Sequence, residues 1–423
     1  MSTPKTPAYV FSLPALYERI RFLKERLGPD IRLVYAMKAN PFLVHSLVPC
    51  ADGFEVCSPG EERICRKAGV PGGMMILSGV NKEEHEIAEL VRHYRSEAVY
   101  TVESYLQAGR LSAAALKEGT RISVLLRLSS GNQFGIDAGA VESILKEKDQ
   151  YPGLLFKGIH FFSGTQKKMK KIKEEIRMLD ELLEKLREKY GFAAELEYGP
   201  GLPVSYFPAE EGGSEEEILT QLTESLKAMK FRGRLTLEMG RFIAAPCGYY
   251  LTKVRDLKEN EDAAYCITDG GIHQMNYYGQ MMGMKVPSIR RIRLAASGPE
   301  RGPSPAAGIS PSDSQLMECL SSGGAEELPL LSRDPGRVMH WTICGSLCTV
   351  GDVLIRDLPV QDLQLGDILV FEKAGAYSVT EGISLFLSRD LPRIYLYDGS
   401  DLAMVRDQIL TEEWNYGRNT GNT

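Results

Sequence analysis

Val34-Tyr35-Ala36-Met37-Lys38-Ala39-Asn40 opens a series of eight short apolar runs, continued at 54–57, 74–77, 98–102, 124–128, 156–162, 196–198 and 235–237. Helix-like stretches separate them, at spacings of roughly 20 to 40 residues. One strand and one helix fill each interval, which is the rhythm of a parallel β/α sheet, and eight such repeats close naturally into a (β/α)8 TIM barrel. An open doubly wound sheet accommodates the same count. From about Tyr250 the pattern changes to short β-branched runs and turns at 264–269, 289–295, 339–344, 368–371 and 393–397. These read as a second, mostly antiparallel β domain, so the chain is expected to be α/β, with the barrel over 30–245 and the β-rich domain formed by 1–29 plus 246–423. The Gly/Pro/Ser-rich stretch 297–337 has little hydrophobic pattern before Leu316 and is expected to be a mobile insertion without chemistry.

Polar and glycine signals gather at the C-terminal ends of the eight runs: Lys38, Glu55 with Ser58, Arg127, His160 with Ser163-Gly164-Thr165, Gly199-Pro200-Gly201, and Glu238 with Gly240-Arg241. In a barrel those ends share one face, where the active sites of such barrels lie, so separate signals become one constellation. A desolvated lysine loses its proton easily and can form a Schiff base with an aldehyde, which is the sharp reading of Lys38. A surface lysine whose stem packs on the strand end is the plain one. Gly199 and Gly201 can present backbone N–H groups to an anion and Arg241 can add charge, a combination that suits phosphate; ordinary turn chemistry also explains a glycine pair. Glu238 beside such a site needs a cationic neighbour, and a protonated pyridine nitrogen is one such group. A salt bridge to a barrel arginine would serve equally.

The rest of the chain is that of an ordinary enzyme. Its 423 residues are 43% hydrophobic and 25% charged, with a net charge of -6, which argues against nucleic-acid or anionic-membrane surfaces. No leader-like apolar segment follows Met1–Pro7 and no run approaches a membrane span, so a cytoplasmic location is expected. Eight cysteines without a Cys-x-x-Cys read as buried thiols in a reducing compartment, with no metal cage; Cys344 and Cys348 are the nearest pair. The stretch 167–190 carries Ile172, Ile176, Leu179, Leu183 and Leu186 at helical spacing. Its basic start, Lys167, Lys168, Lys170 and Lys171, reads as solvated surface, or as a dock for an acidic carrier protein.

Taken together, these segments resemble the pyridoxal-phosphate decarboxylases of the alanine-racemase-like fold type, such as diaminopimelate and ornithine decarboxylases. Tyr35-Ala36-Met37-Lys38-Ala39-Asn40 resembles their Schiff-base lysine motif, Phe54-Glu55-Val56-Cys57-Ser58-Pro59-Gly60-Glu61 their second-strand motif, and Gly158-Ile159-His160-Phe161-Phe162-Ser163-Gly164-Thr165-Gln166 their His-x-Gly-Ser segment. Gly199-Pro200-Gly201 stands for a phosphate-binding glycine triplet and Glu238-Met239-Gly240-Arg241 for Glu-Pro-Gly-Arg. Gly345-Ser346-Leu347-Cys348-Thr349-Val350-Gly351-Asp352 resembles the family's cysteine motif, and Ala374-Gly375-Ala376-Tyr377 its Gly-Ala-Tyr motif.

The resemblance implies that Lys38 holds pyridoxal 5'-phosphate, that Glu238 keeps the ring protonated as an electron sink, and that Cys348 returns a proton to the substrate carbon across a homodimer interface. A buried thiol is the plain alternative for Cys348. It further implies cofactor contacts from Glu55, Arg127, His160, Phe162, Ser163, Gly164, Thr165, Gly199, Gly201, Gly240, Arg241 and Tyr377, and substrate contacts from Thr349, Asp352 and Tyr278. The related racemases set an arginine against the ring nitrogen, so an acid there favours decarboxylation. Three departures narrow the substrate. Phe162 replaces the ring-stacking histidine, Thr349 replaces an acidic residue after the cysteine, and 269–280 lacks the Arg-Pro that grips a distal carboxylate. These features resemble a narrower branch that includes butirosin-pathway, exosortase-associated and siderophore-pathway decarboxylases. They imply an amino acid or amino-acid conjugate, including a carrier-tethered one, as substrate. A diaminopimelate-type enzyme, an amino-acid racemase and a non-catalytic binding homologue are the alternatives.

Overall fold

All eight apolar runs of the first half become strands, and each one begins or ends within a few residues of its expected limits. In the computed structural model, which describes residues 4–192, 194–209, 213–261, 263–293, 316, 326–328 and 338–417, the chain first forms strand β1 (Ala8–Ser12) and the helix Leu13–Leu27. Strands β2 (Ile31–Ala36), β3 (Gly53–Val56), β4 (Met75–Leu77), β5 (Val99–Val102), β6 (Ile122–Leu128), β7 (Leu154–Phe162), β8 (Glu195–Gly199) and β9 (Arg234–Met239) follow. They pair in sequence order, all parallel, and β9 closes on β2 with Glu238 opposite Val34. The closed barrel is the architecture expected, and the open sheet is excluded.

Helices alternate with these strands because the intervening segments carry both periodicity and caps. Ser58, Ser104, Asp137 and Ser214 each accept a backbone N–H at a helix start, satisfying a donor that has no partner within its helix. The long helix Met169–Tyr190 buries Ile172, Ile176, Leu179, Leu183 and Leu186, the five positions its spacing predicts, and ends on Gly191 in the left-handed conformation. The described residues of Tyr17–Val204 and Gly212–Ile243 make up this barrel unit.

The described residues of Met1–Leu16, Ser205–Glu211 and Ala244–Thr423 make up the second unit. Its strands after β9 are β10 (Gly248–Glu259), β11 (Ala264–Thr268), β12 (Ile289–Ile292), β13 (Glu326–Leu328), β14 (Met339–Cys344), β15 (Val353–Val360), β16 (Ile368–Phe371), β17 (Arg393–Tyr397) and β18 (Leu402–Arg406). With β1 they build one ten-stranded sheet, antiparallel except where β1 meets β17 and β11 meets β14. The sheet is therefore mostly antiparallel, as expected. Most of 297–337 lies outside the described residues. Of its described parts, Leu316 packs in the core of this sheet, and β13 pairs with β12. Among the described residues, no helix is long and apolar enough to cross a membrane.

The inner face of Met169–Tyr190 anchors the barrel wall, so Leu179→Ala is expected to cost about 2–5 kcal/mol of stability. Thermal or denaturant unfolding of the variant checks it, with a loss under about 1 kcal/mol speaking against this packing.

Candidate active site

The strand β2 ends in one tight turn, Met37–Ala39, which sets Lys38 at the strand's C-terminal end. Met37 and Ala39 are buried, while the Lys38 side chain keeps 32% exposure, open enough to meet a ligand. Its Nζ lies 3.1 Å from Glu238 Oε1, 3.8 Å from Cys57 Sγ and 5.3 Å from the centre of the Phe162 ring. Gly240 permits this closeness, since a Cβ there would stand 3.0 Å from Ala39 Cβ and 3.1 Å from the Ala36 carbonyl oxygen. His160 Nε2 lies 3.4 Å from Glu238 Oε2. Burial alone would raise the Glu238 carboxyl, but the Lys38 charge and the His160 contact outweigh it and hold the group below the usual carboxylate range. Glu238 is thus an anion, and its partner is Lys38; the alternative of an arginine does not hold.

Deeper in the barrel, Glu55 Oε1 accepts the Ser78 hydroxyl and lies 3.5 Å from the Cys57 thiol, which burial pushes up to about 12. Glu197 is buried beside it, and Glu55, His160, Glu197 and Glu238 each bring an atom within 4.8 Å of the others. Burial, then the charges of Glu55 and Glu238, push the Glu197 carboxyl well above its ordinary value. Sequence reasoning missed Glu197. The signal was available: in Leu196-Glu197-Tyr198 a carboxylate interrupts a strand too short to expose it, and alternation turns it to the opposite side from its neighbours.

The loops after β7 and β8 lock together at their backbones. Gly201 has φ +58°, a Cβ on it would strike the Gly164 carbonyl oxygen at 2.0 Å, and its own carbonyl accepts the Lys167 N–H at 2.9 Å. Gly199 ends β8 beside them, and Arg241 Nε donates to Thr165 Oγ1 at 3.2 Å. Ser163 donates its hydroxyl to Glu175 at 2.5 Å. Lys167 corrects the expectation of a solvated basic cluster: it is buried, with Nζ 2.6 Å from Glu175 and 2.8 Å from Ser163 Oγ. Lys168, Lys170 and Lys171 are exposed. On the barrel's other side Arg127 pairs with Glu103 at 3.0 Å and lies over the Phe134 ring.

In the second unit, Cys348 and Thr349 sit on an exposed turn, so Cys348 is not the buried thiol of the plain alternative. Asp352 braces that turn, one carboxylate oxygen accepting from the Ile272 N–H at 2.8 Å and the other from the Leu347 N–H at 2.7 Å. At 3% exposure it holds the cysteine turn in shape, a role the expectation of direct substrate contact did not foresee. Tyr278 is exposed, and Tyr377, at φ +67°, leads into the short helix Ser378–Glu381.

Lys167 and Glu175 form a buried ion pair whose disruption strands a charge. Glu175→Ala is expected to lower stability by about 3–5 kcal/mol, while Glu175→Leu combined with Lys167→Met recovers much of the loss. Thermal unfolding of the two variants checks it; equal losses in the single and the double variant would contradict the pairing.

The chain is similar in sequence and fold to known proteins. The family model described as alanine racemase, N-terminal domain, matches residues 11–196. Diaminopimelate decarboxylase of Aquifex aeolicus (strain VF5) is 25% identical, covering 88% of this chain and 82% of its own length. L-glutamyl-[BtrI acyl-carrier protein] decarboxylase of Niallia circulans is 24% identical, covering 95% and 91%. The 2-[(L-alanin-3-ylcarbamoyl)methyl]-2-hydroxybutanedioate decarboxylase of Staphylococcus aureus (strain NCTC 8325 / PS 47) is 26% identical, covering 92% and 93%. In fold, the chain matches the crystal structure of diaminopimelate decarboxylase from Helicobacter pylori complexed with L-lysine, with a TM-score of 0.74 at 20% identity over 97% of this chain and 96% of that one. Residues 11–196 thus match the alanine racemase N-terminal domain model, and along nearly its whole length the chain is similar to diaminopimelate and related decarboxylases.

Proposed function

We propose that this chain is a pyridoxal 5'-phosphate-dependent decarboxylase acting on an amino acid or an amino-acid conjugate, including one tethered to a carrier protein, in specialised metabolism. The observation that carries the reading is the amine of Lys38 held 3.1 Å from a buried, anionic Glu238 at the open end of a closed barrel. The residues present fit the cofactor: an amine, a carboxylate kept charged, an aromatic face at Phe162, and glycine loops with Arg241 beside them. Lys38 would hold it by the amine, Phe162 would lie against the ring and Glu238 would face the ring nitrogen. Gly199, Gly201, Gly240, Ser163, Gly164, Thr165, Arg241 and Tyr377 would serve its phosphate, with Glu55, Arg127 and His160 around the ring. When bound, pyridoxal phosphate supplies the electron sink for the pair left behind as carbon dioxide departs.

The chain's own groups supply the rest. Glu238, kept ionised by Lys38 and His160, maintains negative charge where a cationic ring nitrogen is needed. This favours decarboxylation over the racemisation that the match over 11–196 would otherwise suggest. Cys348 presents its Sγ on an exposed turn braced by Asp352, placed to deliver a proton to the substrate carbon. In this reading the thiol reaches the site of a second subunit in a cytoplasmic homodimer with shared active sites. Neither nucleic acid nor membrane is a partner. Thr349 and Tyr278 offer neutral contacts, which leave the distal end without a charged anchor and suit an extended substrate. Two of the relatives support that choice, their names specifying a carrier-bound glutamyl group and an alaninylcarbamoyl conjugate.

Carbon dioxide release from cofactor-loaded protein tests the proposal, across free amino acids, carboxylate conjugates of diaminopropionate type and carrier-tethered aminoacyl groups. Release from extended substrates is expected, abolished by Lys38→Ala, with Cys348→Ala and Glu238→Gln each lowering kcat by about 10²-fold or more. Release from free diaminopimelate, lysine or ornithine alone would remove the extended substrate. Exchange of the substrate α-proton without gas release would make the enzyme a racemase.

A further inference from the structure

Below Lys38, the barrel interior brings together more acid than its cations balance. Glu55 on β3, Glu197 on β8 and Glu238 on β9 are 1%, 1% and 5% exposed. The Lys38 ammonium and His160 on β7 are directed at Glu238. Arg32 on β2 gives an N–H to the Asp52 carbonyl and influences Glu197 only at a distance. The hydroxyl of Ser78, after β4, and the thiol of Cys57, after β3, serve Glu55 Oε1. Among the described residues, Glu55 Oε2 and both Glu197 oxygens have no hydrogen-bond donor. Two carboxylates this close in a buried site cannot both remain ionised without a counter-charge, and a single proton between them pairs Glu55 Oε2 with one of the two Glu197 oxygens.

We propose that Glu55 and Glu197 share one proton at neutral pH, carried by Glu197 as a neutral carboxylic acid whose O–H is donated to Glu55 Oε2. The pair then places one negative charge beside Glu238 instead of two. Glu197 becomes a positioning residue: it orients Glu55 and spares Glu238 a second repulsive neighbour. The proton itself is independent of the proposed function, whereas its consequence for a cofactor ring rests on that reading.

The sign of the pH effect follows from linkage. Burial and its acidic neighbours raise the folded-state affinity of Glu197 above the ordinary value of 4.5, so the folded protein retains a proton that the unfolded chain has released. The contribution to stability is full below that ordinary value and is lost as pH rises through the folded one. Glu197→Gln removes this loss, because the amide stays neutral and still donates to Glu55.

Infrared difference spectroscopy of the whole chain, without and with pyridoxal phosphate, tests the proposal, together with unfolding as a function of pH and metal analysis of the purified protein. At pH 7 the wild type is expected to show the carbonyl band of a buried protonated carboxyl, lost in Glu197→Gln, and to lose stability as pH rises above about 5 more steeply than that variant. Absence of the band from the wild type overturns the proposal even if no variant folds. Persistence of the band in Glu197→Gln, or a stoichiometric divalent cation balancing the charges, overturns it as well. None of these readouts requires turnover, so a failed decarboxylase assay and a failed proton assignment remain separate results.

Discussion

The ion pair between Lys38 and Glu238 is the contact on which the site depends. Its members lie 200 residues apart and meet only because β9 closes on β2 in parallel register, so the two ends of the barrel sequence supply the two halves of one charge pair. An isolated buried carboxylate would take up a proton; with the ammonium 3.1 Å away and His160 at its other oxygen, Glu238 stays charged. Closure of the sheet is thereby tied to the chemistry, since the same strands in the same order without closure would leave the first and last ones at opposite edges.

Around this pair the barrel distributes work between loops and interior. Backbone interlocking of Gly164 with Gly201, and of Lys167 with the same loop, shapes the open end without using charged side chains that a phosphate would need. The Lys167–Glu175 pair lies just behind, with Ser163 and Tyr198 completing its hydrogen bonds. Such fully satisfied networks hold loop ends more firmly than isolated polar groups. In the second unit Asp352 has a comparable supporting part, pinning the turn that exposes Cys348.

Much of this was legible in the sequence because local rules and global fold agree. Eight apolar runs, each separated by one helix-like stretch, carry the barrel, and Lys38, Glu55, His160 and Glu238 each lie in or just after the C-terminal part of a run, where barrel geometry makes them neighbours. The helix Met169–Tyr190 declared its buried face through spacing alone. Less visible were features set by partners far along the chain. Lys167 looked like one of a basic cluster, yet burial against Glu175 is decided by the crossing of a helix and a loop. Glu197 was hidden inside a short strand. Strands β1, β10 and β15 lack the clean apolar limits of the barrel strands. Their pairing, including the parallel contact of β1 with β17 across most of the chain, follows from tertiary packing and not from local propensity.

The most direct test of the central claim asks which lysine carries the cofactor. The protein is loaded with pyridoxal phosphate, reduced with borohydride and mapped by peptide mass spectrometry. A single phosphopyridoxyl group on Lys38 is the predicted result. Labelling of Lys82 or Lys167, two lysines with buried side chains near the strand ends, or no label above that of a denatured control, would contradict the account.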